Sequence, residues 1–229
     1  VDEASARNRQ ASFYRRRGPE GSVQLVLGAG NVSSIPPSDV LYKSFVEGRV
    51  CILKMNPVNE YIGPFLEEAF RPLIERGFLQ IVYGGAETGA YLVGHEAVDA
   101  VHITGSDKTH DAIVWGPPGA EQDRRRAQSD PVLRKEITSE LGNITPVVVV
   151  PGAYSPEELM VVARSLASMV ANNGSFNCNA AKLLVVARSW PQRKRLLELV
   201  RQELERIPPR RAYYPGARQR YSSLLEGRE

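Results

Sequence analysis

The chain has 229 residues, 42% hydrophobic and 24% charged, the balance of a water-soluble globular protein. Its net charge of +3 makes no case for nucleic acid, and the arginine runs at Arg15–Arg17, at Arg124–Arg126 and from Arg188 to Arg220 have no interleaved aromatics on which bases would stack. Two cysteines with no metal-ligand spacing, an amino terminus without the apolar core of a secretory leader, and no apolar run near the ~20 residues of a membrane helix point to a cytoplasmic protein without metal or membrane partner.

Val23–Leu27 reads as the first strand and ends at the turn Gly28-Ala29-Gly30. Pro36-Pro37-Ser38 opens a helix, because proline is tolerated in a first turn and Ser38 can cap orphan N–H groups; Gly48 closes it. Arg49–Lys54 is the second strand. From Glu60 to Arg76, Tyr61, Ile62, Phe65, Leu66, Ala69, Phe70, Leu73 and Ile74 fall in pairs four apart, so one continuous amphipathic helix is predicted, stopped by Gly77. Phe78–Tyr83 is a strand, Glu87–Val93 a short helix and Val98–Thr104 a strand, and Gly105-Ser106-Asp107 starts a further helix. Residues Gly116–Pro131 are proline-containing, highly charged and aperiodic, and read as an exposed loop. Strands follow at Glu136–Leu141 and Pro146–Val150. A helix from Ser155 or Pro156 to about Asn173 buries Leu159, Val162, Leu166, Met169 and Val170, and Asn173-Gly174 stops it. After a short loop carrying Cys178 come a strand at Lys182–Ala187, a charged helix at Pro191–Ile207, and a tail from Pro208 with little apolar pattern.

This alternation is that of βαβ units, so the expected class is α/β, a Rossmann-like parallel sheet with helices on both faces. Such sheets bind ligands beyond the carboxyl ends of their strands. Here those ends are Gly28-Ala29-Gly30-Asn31, Lys54-Met55-Asn56-Pro57, Gly84-Gly85 and Gly105-Ser106. Bare backbone N–H groups and helix N-termini of this kind suit a nucleotide phosphate. The GxGxxG dinucleotide fingerprint is absent, and Gly28-Ala29-Gly30 alone is equally a tight strand-to-helix turn.

Taken in order, Asn31 in LGAGN, Lys54 and Pro57 in LKMNP, Gly85 and Gly89 in GGAETG, Gly105-Ser106 in ITGS, Glu140-Leu141-Gly142, and Cys178 after Asn173-Gly174 resemble the aldehyde dehydrogenase superfamily over roughly residues 23–190. The resemblance implies a cofactor-binding domain at 1–141, incomplete at its start, and the beginning of a catalytic domain at 142–229. Family members are longer, which implies a missing C-terminal part and a homo-oligomer for the full-length protein. The sequence also departs from the family pattern. Gly30 stands where a tryptophan is usual, and Met55-Asn56-Pro57 replaces an acidic residue near the lysine, which leaves NAD versus NADP open. His110 stands about where a glycine is expected, GSFNC is one residue longer than usual with Ser175 in place of glutamine, and Gly116–Pro131 looks like an insertion.

By that resemblance the protein oxidises a small-molecule aldehyde to a carboxylic acid with NAD or NADP, through a thiohemiacetal and a thioester on Cys178. Glu140 is then the base that activates water, and the Asn31 amide stabilises the oxyanion. Lys54 holds the adenosine ribose, while Gly85, Gly89, Gly105, Ser106 and Leu141 line the cofactor site. A loop after a helix C-terminus gives a thiolate no help from the helix dipole, so activation must come from Glu140, water or cofactor. Two alternatives stand beside this reading: a relative that passes the acyl group to coenzyme A or reduces it, and an inactive fragment that keeps the nucleotide fold. Cys51, inside an apolar strand, reads as structural. A Cys–His hydrolase is disfavoured, since His102 sits in a strand and His95 and His110 lack an orienting acid in a recognisable motif.

Overall fold

A file of short apolar segments pairs into one parallel sheet in the computed structural model, which describes residues 2–10, 12–18 and 20–227. The chain divides into two units, Val1–Leu141 and Gly142–Glu229.

The first unit opens with helix α1 (Glu3–Arg9), capped by the Asp2 carboxylate accepting from the Ser5 N–H at 2.8 Å. Strand β1 (Val23–Leu27) follows, then α2 (Ile35–Phe45). Here Ser38 lies inside the helix and its hydroxyl donates back to the Ser34 carbonyl at 2.7 Å; it does not cap. The helix begins at Ile35, one residue before Pro36, and Pro36 and Pro37 both fit its first turn. After β2 (Val50–Lys54) the predicted long helix is broken. A 3-10 turn at Glu60–Ile62 leads into α3 (Gly63–Ala69) and, after Phe70, α4 (Arg71–Ile74). The cause is Pro72, which has no N–H to donate and whose ring collides with the carbonyl four residues back. The apolar stripe narrows accordingly: Ile62, Leu66, Phe70, Leu73 and Ile74 pack on the core, while Tyr61 and Phe65 are 66% and 69% exposed.

Next come β3 (Leu79–Val82), α5 (Ala86–Gly94), β4 (Ala100–Gly105) and α6 (Asp107–Trp115). The stretch expected to be a loop contains a helix, α7 (Ala120–Ala127). Ion pairs hold it in place of apolar periodicity: Glu121 meets Arg124 at 2.6 Å and Arg125 at 2.9 Å, Arg125 also reaches Asp130 at 3.1 Å, and Arg126 reaches Asp111 at 2.9 Å. Strand β5 (Glu136–Leu141) completes the sheet. Its order is β3-β2-β1-β4-β5, every neighbouring pair parallel. Val26, Cys51, Leu53, Leu79 and Ile81 meet α2, α3 and α4 on one face. Leu25, Ile52 and Val101 meet Leu92 and Val93 of α5 on the other. Cys51 is fully buried, as a structural cysteine should be, and burial pushes its thiol pKa up against the lowering effect of the Ser44 hydroxyl.

The second unit holds β6 (Thr145–Val149), α8 (Pro156–Ala171), β7 (Ala181–Val186) and α9 (Arg193–Arg206). The two strands form a parallel pair. A reciprocal capping box, Ser155 hydroxyl to Glu158 N–H and Glu158 carboxylate to Ser155 N–H, starts α8. Its core face carries Leu159, Ala163 and Leu166, which join Val149, Trp190, Leu196 and Leu199. Met169, expected inside, is 48% exposed. The tail read as patternless carries a last helix, α10 (Ala217–Leu225), none of whose residues is buried. Among the described residues no helix is long and apolar enough to cross a membrane.

Candidate functional site

Because the five strands of the first unit are parallel, their carboxyl ends share one edge. The strand order reverses between β1 and β4, which run side by side although β2 and β3 lie to one side and β5 to the other. A switch of this kind opens a crevice at the strand ends, where ligands of open α/β sheets bind. Loop 28–31 leaves β1 on one side of that crevice, and Gly105-Ser106 leaves β4 on the other.

The β1 loop is shaped by its neighbours. The Gly28 N–H donates to the Lys54 carbonyl at 3.0 Å, and the Asn59 side-chain amide donates to the Ala29 carbonyl at 3.0 Å. A Cβ on Gly30 would stand 2.6 Å from the Asn56 Oδ1, an oxygen already accepting from the Val58 N–H at 3.0 Å. Gly30 and Asn56 thus fill one space, and a tryptophan at position 30 could not enter without displacing Asn56. Asn31 follows, half-buried.

Lys54 ends β2, in register with Leu27 and Val82. It is 7% exposed, and burial pulls its ammonium pKa below the usual lysine range, with the Glu60 carboxylate opposing that shift. Glu60 itself accepts from the Gly84 N–H at 3.0 Å. A buried ammonium needs hydrogen-bond acceptors, which a polyhydroxyl partner can supply.

Gly85 precedes α5 and supplies no side chain to cap it; a Cβ there would meet nothing within 4 Å. Gly89 lies one turn on, where a Cβ would be 3.8 Å from Leu27. Ser106 caps α6, its hydroxyl accepting from the Thr109 N–H at 3.1 Å and lying 2.9 Å from the Thr109 hydroxyl. Asp107, in the first turn of that helix, counters part of the positive dipole there. On β5, Glu140 pairs with Thr104 and Leu141 with Gly105; Glu140 is exposed and Leu141 half-buried. Asn31, Lys54, Gly85, Gly89, Gly105, Ser106, Glu140 and Leu141 therefore all belong to this edge of the first unit.

The partners of one polar group of the same sheet, His102, were not foreseen from the sequence. His102, 7% exposed, sets its Nδ1 2.8 Å from the Thr138 hydroxyl and its Nε2 3.5 Å from the Asp39 carboxylate. Thr104 donates to that carboxylate at 3.1 Å. The signal was a histidine interrupting an apolar strand, but its acid sits on α2, distant in sequence. His110, likewise, has Asp111 3.1 Å away.

Cys178 lies in the second unit, half-buried and free of any disulfide, in the connection from α8 to β7. The path to it is unusual. Asn173, Gly174 and Ser175 all have positive φ, at 52°, 60° and 66°. A left-handed residue other than glycine costs on the order of 1–3 kcal/mol, so the surroundings must enforce this conformation. Asn173 donates to the Asn177 side chain at 3.0 Å and to the Tyr213 hydroxyl at 3.1 Å. Phe176 packs against Tyr213 and Tyr214, with ring centroids 4.8 Å and 5.9 Å away. A turn closed by the Ala180 N–H on the Asn177 carbonyl at 3.1 Å then carries the cysteine.

Comparison with known proteins gives this geometry a lineage. Residues 3–212 match the model of the aldehyde dehydrogenase family. Over 181 residues the chain is 26% identical to N-succinylglutamate 5-semialdehyde dehydrogenase of Novosphingobium aromaticivorans, a match covering 79% of this chain and 35% of that protein. Among solved structures, an NADP-dependent glyceraldehyde-3-phosphate dehydrogenase of Bacillus halodurans, complexed with NADP, superposes with a TM-score of 0.63 at 21% identity, over 81% of this chain and 35% of that one. An aldehyde dehydrogenase of Mycobacterium tuberculosis, complexed with NAD+, gives a TM-score of 0.57 at 21% identity, over 82% and 35%. The chain spans about a third of the length of the curated relatives it matches. With nearly its whole length matched by one family model, the chain belongs to the aldehyde dehydrogenase family.

Proposed function

We propose that this protein oxidises an aldehyde to a carboxylic acid with NAD or NADP, with Cys178 as nucleophile. The observation that carries the cofactor half is the shared carboxyl edge of the parallel sheet, where Lys54 ends β2, Gly85 follows β3, and Ser106 opens α6 after β4. The buried Lys54 suits ribose hydroxyls. The bare turn at Gly85 and the N–H groups opening α6 suit phosphate, with Gly89, Gly105 and Leu141 lining the space between. NADP and NAD+ in the two solved relatives support the same assignment. When bound, the nicotinamide supplies a hydride acceptor.

The chain's own residues do the rest. The Cys178 thiolate attacks the aldehyde carbonyl, and the new oxyanion needs donors already in place. The family resemblance assigns that role to the Asn31 side-chain amide and the Cys178 N–H; among the described residues that N–H donates to no backbone carbonyl. Glu140, exposed on β5, takes a proton from water for hydrolysis of the thioester. Its presence favours transfer to water over transfer to coenzyme A.

The test is aldehyde-dependent reduction of NAD+ and NADP+, with and without coenzyme A. Turnover without coenzyme A that disappears in Cys178→Ser is expected; an absolute requirement for coenzyme A would assign the acylating class instead. A second reading is nucleotide binding without turnover, because the strand-end edge suited to the nucleotide lies wholly within the first unit. Calorimetric titration with each dinucleotide separates the two: binding with no turnover supports the second, and turnover by this chain excludes it.

A further inference from the structure

We propose that Lys182 is a positioning residue, which holds the Cys178 loop on its left-handed path by binding Ser175 at one end of the loop and Ala180 at the other. The inference rests on the reading of Cys178 as nucleophile and concerns what fixes that thiol in place. Left-handed residues normally occur singly, and here three stand in a row. Two of them suit the conformation by their own chemistry, since Gly174 has no Cβ and asparagine tolerates this region. Ser175, at φ 66°, has no such excuse. What it has is Lys182. The Lys182 Nζ donates to the Ser175 hydroxyl at 2.9 Å, to the Ser175 carbonyl at 3.3 Å and to the Ala180 carbonyl at 3.2 Å.

An ammonium has three N–H bonds, and all three are spent within this loop. They tie position 175 to position 180, with Cys178 between them. Lys182 stands near the start of β7 at an irregularity in the pairing, where Thr145 is opposite Ala181 and Pro146 opposite Leu183, so the ladder passes over it. Partial burial lowers its pKa, although the residue as a whole is exposed. A displacement of about 1 Å at a reacting atom costs on the order of a hundredfold in rate, so such a clamp has a chemical purpose.

The test is backbone amide exchange over residues 174–180, read by mass spectrometry. Lys182→Met should speed it about tenfold, the signature of a loop released from its lysine tie. Ser175→Gly adopts the same φ without strain, so adding Lys182→Met to it should change exchange by less than about threefold. That loss of effect in the glycine background is what a merely structural lysine would not produce. Equal acceleration in both backgrounds, or no acceleration by Lys182→Met in wild type, overturns the proposal. Should Lys182→Met lack a cooperative thermal transition, Ser175→Ala takes its place: it deletes one acceptor, about threefold faster exchange is expected, and unchanged exchange overturns the proposal. Cys178→Ser, which tests the nucleophile by loss of aldehyde oxidation, leaves this pattern as in wild type, so the two ideas can fail separately.

Discussion

The two sheets treat apolar residues differently. In the first unit, β4 is buried along nearly its whole length and β1 through its middle, with helices on both faces. In the second, β6 and β7 bury one face only: Val147, Val149, Leu184 and Val186 pack under α8 and α9, while Val148, Leu183 and Val185 stand 66%, 51% and 43% exposed. Yet Ala-Lys-Leu-Leu-Val-Val of β7, with five apolar residues of six, is as apolar as Val-Gln-Leu-Val-Leu of β1, with four of five. A continuous apolar run states that a strand can be covered twice; only its neighbours decide whether it is.

The largest effect should come from the doubly covered sheet. Leu53→Ala, at a fully buried position of β2, should cost about 2–5 kcal/mol, read from the midpoint shift in urea at constant slope. Val149→Ala, on the covered face of β6, should cost about 1–3 kcal/mol, whereas Val148→Ser next to it should stay within about 0.5 kcal/mol. Equal costs at 148 and 149 would break the one-sided description of that pair. Ser155→Ala, which removes half of the capping box on α8, should cost about 1 kcal/mol.

The smallest effect is a titration in the first unit. Burial first, then the Glu67 carboxylate 2.6 Å from its hydroxyl, pushes the Tyr83 phenol pKa up to about 12. A raised folded pKa means the neutral phenol is favoured by folding. Its contribution is fully present below the unfolded tyrosine pKa of about 10 and is lost as pH rises through about 12. Ultraviolet titration should place this ionisation late, and Glu67→Gln should bring it only part of the way down, because burial is the larger cause.

What was legible follows the same division. The alternation of strands and helices was read from periodicity, and the parallel sheet with Lys54 and Ser106 at its carboxyl edge came with it. Pro72 was visible, but the four-residue spacing across it outweighed its local effect. Helix α7 was hidden because it is held by Glu121 and its arginines, leaving no apolar stripe to detect. Helix α10 was hidden for a similar reason, having no buried residue. At the candidate site, single residues could be matched to a family order, but Lys182 could not. Its role depends on a backbone path of positive φ that residue types alone do not announce.

The most direct test of the central assignment is intact-mass and peptide analysis of Glu140→Gln after incubation with an aldehyde and NAD+ or NADP+. With the base gone and the nucleophile kept, an acyl group should accumulate on Cys178 as a thioester. Its absence in a variant that still binds dinucleotide, or an adduct on another residue, would contradict the assignment.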